Sequence, residues 1–181
     1  MNQRFLAACI GMLVFGAAAS SSAAKVVVRP VVPNNLDVPA NQELALEARA
    51  SGVQIYLCAA GSEARRFGWT LKAPEADLFD SAGQKIGKHY AGPTWEATDG
   101  SKVAGTVKAR ADAPSGNAIH WLLLGATSTA GTGVLTRVAN IQRLNTAGGN
   151  APPAQTCDET HVGTESRVPY TATYYFYSAL P

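Results

Sequence analysis

Between His89 and Ser101 the chain gathers a histidine, two aromatic rings, two carboxylates and a glycine turn: His89, Tyr90, Trp95, Glu96, Asp99 and Gly100. An imidazole titrates near neutrality and can serve as a general base or a metal ligand. No second histidine stands at metal-site spacing from His89, and His120 and His161 can approach it only through the fold. Tyr90 and Trp95 offer flat faces for stacking on sugar rings or lining an apolar pocket, and Glu96 offers an acceptor beside them. His89, Tyr90, Trp95 and Glu96 are therefore the candidate ligand-binding residues. Each has a structural alternative: a hydrogen-bonded histidine, core-filling rings, and a carboxylate paired across a hairpin.

Other chemistries find less support. Glu75, Asp77, Glu96 and Asp99 could supply the two carboxylates of a glycosidase. Hairpin pairing gives Glu96 a partner in Lys102, however, and Asp99 is a turn former. No Gly-x-Ser-x-Gly elbow, His-Glu-x-x-His pair or phosphate loop occurs. No catalytic residue, metal ligand or cofactor is assigned. His120, in an apolar run, reads as a satisfied core histidine, and Trp121 beside it as core filling.

Met1 to Arg4 is a short basic start, Phe5 to Ala19 is apolar, and small residues follow to Ala24. That is the layout of a cleaved secretory signal, too short for a transmembrane helix. Residues 1–24 are read as the signal, which places the protein in the periplasm or outside the cell. Arg4 is the only charged residue among them, so their removal takes the formal net charge from +2 to +1. Near-neutrality without a clustered basic face argues against a nucleic-acid partner. Cys9 leaves with the signal, and the two remaining cysteines, Cys58 and Cys157, are most simply a disulfide in an exported chain.

The elements that must position these residues are short and β-like. Residues 25–41, rich in Pro and Val, form an arm with an edge strand expected over Val26 to Arg29. Gln42 to Ala50 and Val53 to Cys58 alternate as strands. After Phe67 to Leu71 and a break at Pro74 come two hairpins with three-residue loops, Ser81-Ala82-Gly83 and Thr98-Asp99-Gly100, each closed by a left-handed glycine. Counting outward sets Leu78 against Ile86 in the first hairpin. In the second it sets Ala97 against Ser101, Glu96 against Lys102 and Trp95 against Val103. A two-residue loop would put Glu96 against Val103, and the slip would exchange the faces. Val103 to Arg110 continues the arm of the second hairpin. Ile119 to Leu124, apolar on both faces, reads as a central buried strand. Ala126 to Gly133 reads as a loop, Val134 to Leu144 as a strand, Thr146 to Thr156 as a long loop, and Tyr170 to Tyr177 as a closing strand. The expected architecture is a single all-β domain over 42–181, an antiparallel β-sandwich or barrel of about eight to ten strands with little or no helix after the signal peptide.

An ordered set of motifs runs through the mature chain: Gly52-Val53-Gln54-Ile55-Tyr56-Leu57-Cys58, Trp69, Pro74 to Leu78, Gly87 to Glu96, Asp99-Gly100-Ser101, Ile119 to Leu124, Ile141-Gln142-Arg143, Gly148-Gly149, Ala151-Pro152-Pro153 and Cys157. In these the chain resembles the secreted bacterial and fungal family called domain of unknown function 3455. The resemblance implies export but no catalytic residue, because the family is uncharacterised. Some relatives carry the label malate dehydrogenase, which this sequence does not support. A dinucleotide fold needs Gly-x-Gly-x-x-Gly between a strand and a helix, and Gly131-Thr132-Gly133 lacks the third glycine and leads toward a strand.

The functional expectation is an exported, non-enzymatic β-domain that binds a small molecule or surface glycan through His89, Tyr90, Trp95 and Glu96. The alternative is a secreted hydrolase or metal-dependent enzyme that uses His89 with an acidic partner.

Overall fold

Eight antiparallel strands close into one barrel in consecutive order, the last pairing with the first. The computed structural model describes residues 29–63 and 66–180. The expected signal peptide, and all but the last residue of the expected edge strand at 26–29, lie outside them. The strands are β1 (Gln42–Ala60), β2 (Phe67–Phe79), β3 (Lys85–Tyr90), β4 (Thr94–Ala97), β5 (Lys102–Ala111), β6 (Trp121–Ala130), β7 (Val138–Gly148) and β8 (Glu165–Ala179). Helix among the described residues is limited to three single 3-10 turns, Asn34–Leu36, Ala154–Thr156 and Glu159–His161.

Closure follows from strand patterning. In β8, Tyr170, Ala172, Tyr174 and Phe176 alternate inward to the lumen, where they pack with Ala48, Ala50, Leu78, Trp95, Leu124 and Ile141. The intervening Tyr175 and Tyr177 point outward, yet are buried with Leu123, Leu144 and Leu36. Their cover is the N-terminal arm: Leu36 is fully buried, its carbonyl accepts from Gln142 Nε2 (2.7 Å), and Asn35 Nδ2 donates to the Arg110 carbonyl (2.9 Å). This second layer explains why β6 and β8 read as apolar on both faces. Elsewhere the outer wall is charged, with Glu43, Glu47, Arg49, Lys88 and Arg167 exposed. A barrel with a charged wall and an apolar lumen inverts the pattern of a membrane-spanning one. Among the described residues no helix is long and apolar enough to cross a membrane.

Pairing confirms the second hairpin as expected: Trp95 faces Val103 and Glu96 faces Lys102, Ala97 N donates to the Ser101 carbonyl, and Gly100 has φ 85°. The first hairpin has the expected loop, with Asp80 N bonded to the Gln84 carbonyl and Gly83 at φ 82°. One step further out a bulge intervenes, so Leu78 meets Gly87 rather than Ile86. Two expected boundaries vanish. β1 runs unbroken through Ser51-Gly52, and β2 runs through Pro74, which sits opposite Gln54 just before a register shift. The stretch from Ala126, expected as a loop, remains strand to Ala130 because Lys102, Val103 and Ala104 of β5 pair with it. The strand expected from Val134 instead starts at Val138 and continues to Gly148.

The expected disulfide is present. Cys58 at the end of β1 is bonded to Cys157 (S–S 2.04 Å), which ties the long loop before β8 to the barrel wall.

Candidate functional site

A strand turns successive side chains to opposite faces, and that rule divides the four sequence-predicted residues into two pairs. β3 and β4 are joined by a turn through Ala91-Gly92-Pro93, with a cis Gly92–Pro93 peptide. Across it His89 pairs with Trp95, and Tyr90 with Thr94. His89 and Trp95 point into the lumen; Tyr90 and Glu96 point out.

Inside, the His89 and Trp95 rings stack with centroids 4.4 Å apart and planes 10° from parallel. Tyr174 meets both edge-on, at 5.1 and 5.3 Å. His89 is 3% exposed and Trp95 1%. His89 Nδ1 lies 2.8 Å from the Thr94 carbonyl, which accepts only from N–H, so Nδ1 carries the proton and Nε2 does not. Burial pulls the imidazole pKa down to about 3, the bond to Thr94 opposes that, and the Arg143 charge adds to it. His89 is thus a neutral, buried ring at any ordinary pH, and its one hydrogen-bond partner is a carbonyl rather than a carboxylate.

Outside, Tyr90 OH donates to Glu96 Oε2 at 2.9 Å, and Lys102 and Lys88 bring their ammonium groups to 3.2 and 3.5 Å of the same oxygen. Lys88 Nζ also stands 5.6 Å from the centre of the Tyr90 ring. The Tyr90 hydroxyl first, and Lys102 second, hold the Glu96 carboxyl below its usual range. The Tyr90 phenol is pushed up, by burial and then by Glu96. Lys88 divides two shallow grooves. One, of about 310 Å³, is bordered by Ser51, Glu75, Asp77, Tyr90 and Arg167; the other, of about 250 Å³, by Lys85, Glu96 and Thr98.

The four carboxylates considered for glycoside cleavage are each committed to their own partners. Glu75 pairs with Arg167 (2.9 Å), Asp77 with Lys85 (2.6 Å), and Glu96 with the lysines above. Asp99 accepts from Ser101 N and Val134 N, both at 2.9 Å, and from Ser101 Oγ at 2.5 Å. Ser101 Oγ in turn accepts from Leu135 N (3.1 Å), so the β4–β5 turn fastens the β6–β7 loop. These bonds, Ser101's foremost, hold the Asp99 carboxyl below its usual range.

The histidines stay apart. His120, expected in the core, precedes β6 and is half-exposed, with Nδ1 3.2 Å from Asp112 Oδ1. The reason is the strand's late start at Trp121. His161 Nδ1 lies 2.7 Å from Asp158 Oδ1 in an exposed turn. Trp121 packs outside the barrel under the arm rather than in the lumen. Among the described residues no group of three His, Cys, Asp or Glu side chains could hold a metal.

Sequence reasoning missed Lys88 and Arg167 on the outer face, and Gln54, Arg143, Tyr170 and Tyr174 in the lumen. Arg167 reaches the groove only because β8 pairs with β1, a contact between distant segments with no local signal. Arg143 shares the inward parity of Ile141, but Asn140, Gln142, Asn145 and Thr146 make β7 polar enough that its charge does not stand out.

No curated protein and no solved structure matches the chain. The model of the family described as protein of unknown function (DUF3455) matches residues 39–178, the span of the barrel from the end of the arm to the close of β8, and the chain belongs to that family.

Proposed function

We propose that the protein is an exported, non-enzymatic barrel that binds a surface glycan through the outer face of β1 to β4. The single observation that carries this is the half-exposed Tyr90 ring braced between Lys88 and Glu96 beside the groove of Glu75, Asp77 and Arg167. A flat ring supplies stacking area for a sugar, and ion-paired carboxylates and cations around it offer acceptors and donors to hydroxyls. Within the sequence-predicted set, Tyr90 and Glu96 contact the ligand, while His89 and Trp95 hold the hairpin from beneath. The alternative enzyme, which pairs His89 with an acid, gains nothing from a ring bonded to a carbonyl in the lumen.

A glycan array probed with the purified chain, followed by calorimetric titration of the best hit, tests the proposal. Tyr90→Ala and Asp77→Ala are expected to weaken binding roughly tenfold or more. Glycan affinity unchanged in both, or no glycan bound at all, refutes it.

A further inference from the structure

Three shallow grooves adjoin on the outer wall, and cross-strand register shows how they connect. From β8 to β5 the outward residues Thr171, Ser51, Asp77, Lys88, Glu96 and Lys102 stand opposite one another, in one row that crosses the strands. The groove beside Tyr90 lies on one flank of this row and takes Ser51, Asp77 and Lys88 into its wall. On the other flank lies the groove between Lys85 and Thr98, which shares Lys88 with it. A third groove, of about 330 Å³, lies on that same flank and shares Ser51. Phe79, partly exposed, borders it together with Thr171, Thr173, Asn145 and Arg49, whose Nη2 donates to the Asp80 carbonyl at 2.8 Å. Asn145 has φ 50°, the one non-glycine residue with positive φ among the described residues, at the bulge where β7 shifts register against β8.

No single groove is deep. At about 250 to 330 Å³, each sits near or below the small end of the range for ligand pockets, which begins at about 300 Å³. The central groove is lined by strand residues alone, so no loop folds over it. A ligand confined to one groove would stay largely in solvent. Grooves that share walls act differently, because one chain can enter all three and each later contact is intramolecular once the first is made. The row repeats about every 4.8 Å, the spacing of neighbouring strands, which is close to the rise of one sugar unit in an extended β-linked chain. Its charges are already matched: Glu75 pairs with Arg167, Asp77 with Lys85, and Glu96 with Lys88 and Lys102. An anionic chain would have to break those pairs, whereas the hydroxyls of a neutral chain can bond to them as they stand.

We propose that the ligand of the outer face is a neutral, extended, β-linked polysaccharide that lies across the strands along the row from Thr171 to Lys102, with Tyr90 on one flank and Phe79 on the other. The inference rests on the outer face being a glycan site and adds to it the length, charge and direction of the chain.

Calorimetric titration of the purified protein with cello-oligosaccharides and with N-acetylchito-oligosaccharides of two, four and six units tests it. In at least one series the hexamer should bind roughly tenfold or more tightly than the dimer. Phe79→Ala should remove most of that difference and leave the dimer as it was, whereas Tyr90→Ala should weaken both lengths. Thr171→Glu, at an exposed position of the row, should shrink the difference in the same way and gives the reading should Phe79→Ala fold poorly. Equal affinity for dimer and hexamer would overturn the inference, as would an undiminished difference in Thr171→Glu. If neither series binds while an acidic, branched or coiled glycan does, the inference falls and the glycan site stands; if no glycan binds, both fall.

Discussion

The two faces of the β3–β4 hairpin share one backbone and differ in nearly everything else. Inward, His89 and Trp95 lie flat against each other among Tyr174 and Phe176, sealed from solvent. Outward, Tyr90, Glu96, Lys88 and Lys102 form a hydrogen-bonded patch in water. Burying rings of this size carries a large share of a small domain's stability, whereas exposed ion pairs contribute about 0 to 1 kcal/mol. The same few residues thus separate two environments: the inner face holds the barrel together, and the outer face is the one on which we propose that a glycan binds.

Acid should strain the inner face most. Unfolded, His89 regains a pKa near 6.5; folded, it stays near 3. Between those values the unfolded chain takes up a proton that the barrel refuses, so stability present above pH 6.5 is lost as pH falls toward 3. The loss from this group amounts to about 4 to 5 kcal/mol across the whole window. Urea denaturation at pH 7, 5 and 4 should show this slope, and His89→Phe should flatten it; an unchanged slope in the variant breaks the comparison.

Trp95→Ala comes next. Emptying a site 1% exposed should cost about 3 to 5 kcal/mol. Its outward neighbour Tyr90→Ala should cost less than about 1 kcal/mol. Chemical denaturation of the two variants side by side measures the contrast.

Asp99→Ala, at the tip where the β4–β5 turn grips the β6–β7 loop, should cost about 1 to 2 kcal/mol through lost charge-assisted bonds. Hydrogen exchange at the Val134 and Leu135 amides should quicken locally. Smallest of all, Glu96→Gln should lower the melting temperature only slightly, because the lysines that pair with the carboxylate stand in solvent.

Much of the β3–β5 region was legible because hairpins are local. The left-handed glycines, the Trp95–Val103 pair and the Glu96–Lys102 pair all follow from counting outward from a turn. The bulge that sends Leu78 to Gly87 was not legible, since a single inserted residue leaves no periodic trace. Nor was the continuation of β6 through Ala126 to Ala130, where small polar residues are held as strand by their partners in β5. His89 and Trp95 looked like site residues for the same reason that they are good core residues: large rings with polar edges serve both roles. Alternation separates His89 from Tyr90 and Trp95 from Glu96, but which of them share a face is set by the β3–β4 register across the Ala91-Gly92-Pro93 turn. What sequence lacked was which face is lumen, and that is decided by closure of β8 onto β1.

The most direct test is a paired titration of Tyr90→Ala and His89→Phe with the glycan that wild type selects, with the melting temperature of each variant measured alongside. Tyr90→Ala should melt close to wild type and bind roughly tenfold weaker or worse, while His89→Phe should bind as wild type does. Full affinity in Tyr90→Ala, together with lost affinity in a folded His89→Phe, would contradict it.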